Sequence, residues 1–318
     1  MPMTDSRRAF LQIHFCVLLW GFTAILGKLI TLPALPLVWM RMLIVVAALA
    51  LVPRVWRGLR AMPSRLRWSY AGIGVLVALH WLTFYGSIKL SNASVGATCI
   101  ALAAVMTAIV EPWLTRTRLS IRDVALGIAV LPGVALVVGG VPEGMRLGVA
   151  VGVLSAFLVA IFGSLNKHLV EHGDPLTVTA IELGAGAIAL TALAPLVALL
   201  PGVSGALSGD LLVLPGARDT VYLLTLAIAC TLLPFALSLV ALRHMSAFAA
   251  QLAINLEPIY AIVLAIVLLG EQRELTPQFY AGVALILGAV LLHPLLARPR
   301  AVTQPEALAT AEAKDLTP

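Results

Sequence analysis

The sequence predicts an all-α integral membrane protein, with ten transmembrane helices arranged as two inverted five-helix repeats. Three observations carry this. The 318 residues are 61% hydrophobic and only 11% charged, against about 25% charged in soluble domains. Apolar runs long enough to cross a bilayer, about 20 residues each, follow one another to residue 297. The two halves of the chain also echo each other. The net charge of +6 does not mark a nucleic-acid binder, because the basic residues lie between apolar runs without interleaved aromatics. Cys16, Cys99 and Cys230 all fall inside those runs and read as small core residues, not as a disulfide framework.

In order along the chain, residues 1–8 form a short, basic, cytoplasmic N-terminus. An apolar run follows without a small-residue cleavage site, so it reads as an uncleaved first span. The spans are drawn at 9–29, 34–53, 68–88, 93–114 and 123–141 for the first repeat (9–141). For the second repeat (147–297) they lie at 147–166, 175–199, 219–242, 246–270 and 276–297. Residues 298–318 are polar and read as a disordered cytoplasmic tail.

Lys and Arg set the orientation. Alternating ten spans puts fifteen of them in the loops that share a side with both termini and five in the opposite set. Both termini are therefore expected in the cytoplasm, with the multi-pass chain in the cell inner membrane. The duplication shows in paired landmarks. Lys28 and Lys167 close the first and sixth spans, and Pro36-Leu37 and Pro175-Leu176 open the second and seventh, each pair 139 residues apart. Ser94 and Ser246 open the fourth and ninth. Five spans is an odd number, so the second half enters from the opposite side. Inverted repeats of this kind place a transport site near the midplane, between the halves.

The ninth span, 246–270, holds one formal charge, Glu257, near its centre, followed by Pro258. An ionisable group there costs roughly 2.5–3.5 kcal/mol on insertion scales. Proline should deprive the Ile254 carbonyl of its helical partner. Glu257 reads either as a titratable coupling site and partner for a cationic substrate group, or as a carboxylate held permanently by a neighbouring span. Gln251 and Asn255 share a face of this span, and Asn255 lies roughly 200° around the helix from Glu257. One of these faces lines a cavity and the other packs between helices. Tyr260 lies one turn beyond Glu257.

In the third span, His80, Thr83, Phe84 and Ser87 share a face, with Trp81 and Tyr85 beside it. His80 titrates near neutrality and is either a proton relay or a packing residue. The aromatics either line a path or mark an interface. Arg41 and Glu182 each sit eight residues into the second and seventh spans, near-equivalent positions of the two halves. They read as gating or orienting charges, or as interfacial anchors with Arg41 snorkelling outward. Trp20, in mid first span beside Gly21, is a substrate contact or a packing residue.

LLWGFTAILGKL in the first span, SIKLSNASVGATCIAL leading into the fourth, and NLEPIYAIVLAIVLLGE followed by LTPQFYAGVALILGAVLL resemble an EamA-type permease of the drug/metabolite transporter superfamily. The resemblance covers residues 10–297. It implies a ten-helix, inverted-repeat transporter, often an exporter of amino acids, other metabolites or drugs. The family's first-half proline falls near Met106 here, so a symmetric kink does not carry over. The first span also lacks the acidic residue through which the small multidrug relatives couple protons.

No HExxH, phosphate-binding Gly-Lys-Ser/Thr loop or Cys/His cluster occurs, so neither an enzyme, a cofactor nor a metal site is expected. No loop is long enough for a nucleotide domain. The expected function is secondary transport of a small metabolite, amino acid or drug-like solute by alternating access, outward, with protons as candidate coupling ion. The alternatives are translocation of a nucleotide sugar or lipid-linked substrate, or a non-transporting receptor or assembly subunit. The expected partners are a small-molecule substrate and the bilayer, not nucleic acid. Monomer and homodimer both stay open.

Overall fold

The computed structural model describes residues 5–115, 121–169, 172–199, 204–242, 253–254 and 256–296. All regular structure among them is helical. Five helices are long and apolar enough to span a bilayer alone. These are α1 (Asp5–Leu29), α4 (Ser64–Leu90), α5 (Ala93–Thr115), α7 (Arg146–Leu169) and α8 (Pro175–Ala198). Shorter apolar helices lie within α6 (Ile121–Gly140), from Glu257 to Leu269, and from Pro277 to Leu292.

Between α2 (Ala34–Ala50) and α4 the sequence reading leaves a loop, yet Pro53–Ala61 forms a helix, α3, bent 92° from α2. Proline at its first position is preorganised for a helix start. Val55, Gly58, Leu59 and Met62 recur at the spacing of one helical face and turn inward. Gly58 lies against the Thr177 side chain of α8, and Arg54 pairs with Asp174 at 2.5 Å.

After α9 (Ser204–Leu207), α10 (Ala217–Leu224) runs through eight π-helical residues, Thr225–Leu232, into α11 (Leu233–Leu242). The next described helix, α12 (Glu257–Leu264), opens at Glu257, with Pro258 as its second residue. Ala253 and Ile254 before it are also helical and Leu256 is a turn residue, so Pro258 stands in the first turn after this interruption. Proline costs little there, because the first N–H groups of a helix lack partners anyway. A π turn at Ala265–Leu269 follows, then α13 (Pro277–Leu296). Gln251 and Asn255 lie outside the described residues.

The helix packing repeats the duplication. Pairing α1 with α7, α2 with α8, α5 with α12 and α6 with α13 leaves α4 matched to α10–α11. Under that exchange, the packing of α1 on α11 and α12 becomes the packing of α7 on α4 and α5, and both are observed. The pairs α2–α8 and α6–α13 map onto themselves and are also packed. Small residues allow the close crossings, as in membrane bundles generally. A Cβ on Gly74 of α4 would meet the Glu182 carbonyl oxygen at 2.1 Å, and one on Gly140 would meet the Phe279 nitrogen at 2.3 Å.

One end of the bundle is tied by polar contacts. Lys28 donates to the Ser91 carbonyl at 3.1 Å, and Lys89 to that of Ile30. Asp219 accepts from the Thr31 N–H and hydroxyl. Gly270, at φ +70°, takes a left-handed turn open to glycine at little cost. The turn sends Glu271, 1% exposed, to the start of α5. There its carboxylate accepts from the Ala93 and Ser94 N–H groups at 2.9 and 2.8 Å. A carboxylate at a helix N-terminus satisfies orphan donors and meets the positive end of the helix dipole.

Candidate functional site

Arg41 is the centre of the site. It stands on α2, 4% exposed, and does not snorkel outward. Its Nη1 donates to the Tyr85 hydroxyl at 2.7 Å and its Nε to the Thr231 hydroxyl at 2.8 Å. The guanidinium carbon lies 3.9 Å from the Trp81 ring centroid and 5.6 Å from that of Tyr85. Trp81 and Tyr85 follow at i and i+4 on α4, so one helical face supplies both the stacking ring and the hydroxyl. Among the described residues, no hydrogen bond reaches Nη2. A planar fork with one stacked face and an edge on which no hydrogen bond is described is the geometry that takes a carboxylate.

Thr231 is the functional residue that sequence reading missed. It lies in the π segment, where its hydroxyl donates to the Leu226 carbonyl five residues back, at 2.6 Å, while accepting from Arg41. π turns recur at functional sites because the wider ladder re-aims a side chain. The residue itself, one hydroxyl in an apolar run, carried no distinguishing signal.

Glu257 approaches from α12. Its carboxylate and the Arg41 guanidinium are close enough to feel each other's charge. Among the described residues no salt bridge joins them. Glu257, Trp20, Ala24, Phe84 and Pro258 line a cavity of about 10 Å³ between α1, α4, α5 and α12, room for one water. Among the described residues the cavity beside Glu257 is thus small, with Trp20 and Phe84 on its wall. Tyr260 is not drawn into this group by any described contact. Its Cβ sits 3.1 Å from where a Cβ on Gly21 would stand, which makes it a packing contact between α1 and α12.

His80 lies on the far side of α4, 8% exposed, between Phe84 and Phe162. Its Nδ1 is 2.8 Å from the Ser155 hydroxyl and 3.0 Å from the Ser155 carbonyl. That hydroxyl also bonds the His80 carbonyl at 3.0 Å. This is a satisfied α4–α7 contact, although His80 remains within electrostatic range of Arg41. Glu182 is in a different place. It lies on α8 where Gly74 and Gly186 let α4 and α8 touch, and its Oε2 accepts from Asn166 at 3.3 Å. Its Oε1 is buried without a partner. Arg41 and Glu182 match in register but do not form one site.

The three cysteines are buried and free, and no cluster of metal ligands occurs among the described residues. A solved structure titled "Crystal structure of protein" is similar at TM-score 0.58 and 17% identity, over 92% of this chain and 98% of its own; that likeness extends to the fold alone. No curated protein matches. A family model described as the EamA-like transporter family matches residues 8–139 and again 146–295, the two stretches whose helices exchange packing partners. The chain belongs to the EamA-like transporter family.

Proposed function

We propose that this membrane transporter moves a small zwitterion of the amino-acid type by alternating access, and that it does so outward across the cell inner membrane with both termini in the cytoplasm. The ten-span, inverted arrangement expected from the sequence is the frame for this reading. The observation that carries it is the pair of opposite charges, Arg41 and Glu257, within electrostatic range of each other without an ion pair between them, Glu257 lining a small cavity. A substrate carboxylate would take the remaining edge of Arg41. Its amine would meet Glu257, and its side chain would displace the rings of Trp20 and Trp81. A polyanion such as a nucleotide sugar is less well matched, because its second charge would face Glu257. Proton exchange through Glu257, or through His80 as relay, is the coupling this reading favours.

Counterflow of labelled amino acids in proteoliposomes tests it. Arg41→Gln should abolish exchange of the intact substrate. Glu257→Gln should weaken the zwitterion while leaving competition by the N-acetylated substrate unchanged, because the amine it faces is then already neutral. Equal treatment of both compounds by wild type and Glu257→Gln, or unchanged exchange in Arg41→Gln, would reject the assignment. Collapse of an imposed pH gradient without effect on accumulation would reject proton coupling.

A further inference from the structure

The elbow between α2 and α4 carries a charge pattern that the transport site does not use. From Leu51 to Tyr70 the chain holds Arg54, Arg57, Arg60, Arg65 and Arg67 and no acidic residue. Arg54 is held by Asp174. The other four are exposed, and no salt bridge engages them among the described residues. On α3 the inward face is Val55, Gly58, Leu59 and Met62, so Arg57 and Arg60 stand on the opposite side. Arg65 and Arg67 continue the patch on the first turn of α4.

Apolar groups are set among these charges. Leu51 is 84% exposed, Trp68 78% and Trp56 48%. The Trp56 indole N–H is fixed to the Ala50 carbonyl at 2.8 Å. α3 turns 92° from α2, so with α2 crossing the bilayer α3 would lie along the membrane surface, at the depth where Trp and Arg partition. The bias of positive charge to one side of a membrane explains the sign of this loop. It does not explain a helix laid flat and pinned to α8 through Gly58 and Arg54, with four guanidinium groups left unengaged beside two indoles.

We propose that this elbow is a binding site for anionic phospholipid headgroups of the adjoining leaflet. Arg57, Arg60, Arg65 and Arg67 take the phosphates, and Leu51, Trp56 and Trp68 take the upper acyl chain and glycerol region. Guanidinium forks match phosphate oxygens two at a time. Because α3 packs on the start of α8, lipid bound here also steadies the end of the helix that carries Glu182. The proposal is independent of the substrate assigned above.

The test uses the full chain in neutral detergent and follows thermal unfolding while dihexanoyl-phosphatidylglycerol is titrated. Dihexanoyl-phosphatidylcholine, inorganic phosphate and polyglutamate are run as separate arms. The glycerol lipid should stabilise the wild type at concentrations where the other three do not. Arg57→Gln/Arg60→Gln should raise the concentration needed by about thirtyfold, since each arginine near an anionic surface is worth roughly fivefold. Arg57→Lys/Arg60→Lys should recover most of the response, and Arg218→Gln, an equally exposed arginine far along the chain, should leave it intact. An unchanged titration in the double Gln variant would overturn the proposal. So would a response to choline lipid, phosphate or polyglutamate equal to that for the glycerol lipid. Should the double variant be too unstable to measure, Arg65→Gln alone, expected to cost about fivefold, decides the question by the same criterion.

Discussion

Gly72 and Gly74 lie on the same helix, two residues apart, and substitution of each by alanine should move stability in opposite directions. A Cβ on Gly74 would stand 2.1 Å from the Glu182 carbonyl oxygen and 2.7 Å from its Cα and carbonyl carbon. All three are backbone atoms, so no side chain can swing aside. Ordinary contact is more than an ångström further out, and α4 and α8 would have to part. Overpacking of this kind costs about 1–3 kcal/mol, with the upper end apt for a backbone clash. At about 2–4 °C per kcal/mol for chains of 150–250 residues, Gly74→Ala should lower the unfolding midpoint by about 2–12 °C. Nothing lies within 4 Å of a Cβ on Gly72, so Gly72→Ala should gain the helix preference of alanine, about 0.5–1 kcal/mol. Thermal unfolding in one detergent, monitored by circular dichroism, compares the two directly. A Gly74→Ala variant as stable as Gly72→Ala would show that α4 and α8 do not cross where Glu182 sits.

Other consequences follow from the same geometry. Arg41→Lys keeps the charge but loses the fork and its stack on Trp81, and should weaken substrate binding by about 1.5–3 kcal/mol in titration calorimetry. Glu271→Ala strands the Ala93 and Ser94 N–H groups at the start of α5. Each bond to a charged acceptor is worth about 1.5–3 kcal/mol, so at least 3 kcal/mol should be lost in thermal unfolding, while Glu271→Gln retains an acceptor and should lose about half. Cys16, Cys99 and Cys230 are buried, and a membrane-permeant maleimide should label none of them in the resting protein. Since Cys230 precedes Thr231 in the π segment, saturating substrate should speed its labelling and leave Cys99 unchanged.

The helical membrane character was legible because the bilayer leaves few options: backbone polar groups there must bond internally, so a run of apolar residues is a helix. α3 was missed because its signal, a nine-residue helix rich in arginine, is too short and too polar for a span. Its identity rests on which face packs against Thr177. Arg41 was legible as an oddity, a full charge among apolar residues, but its partners were not. Trp81, Tyr85 and Thr231 meet it from two other helices, and only packing decides that. Register pairs Arg41 with Glu182 correctly and still misleads about the site, since equivalent positions in two repeats lie on opposite sides of the exchange axis.

That exchange also explains why one half of the protein cannot be a copy of the other at the centre. α4 is an unbroken α-helix that carries His80, Trp81 and Tyr85, whereas its counterpart between α10 and α11 is wound as a π segment that aims Thr231 at Arg41. This departure from the repeat falls on the wall of the Arg41 cluster and delivers a hydroxyl there. The side chains differ there too: the first-half position matching Glu257 falls near Met106, so one cation meets one anion. The prediction is then specific to the broken element. Thr231→Val, isosteric and given no ligand contact of its own in the proposed pose, should impair exchange by releasing Arg41 from its seat, while Ser155→Ala, at the satisfied contact on the unbroken pair α4–α7, should cost stability and leave the substrate preference unchanged. If Ser155→Ala altered preference and Thr231→Val did not, the site would lie on the α4–α7 side, around His80.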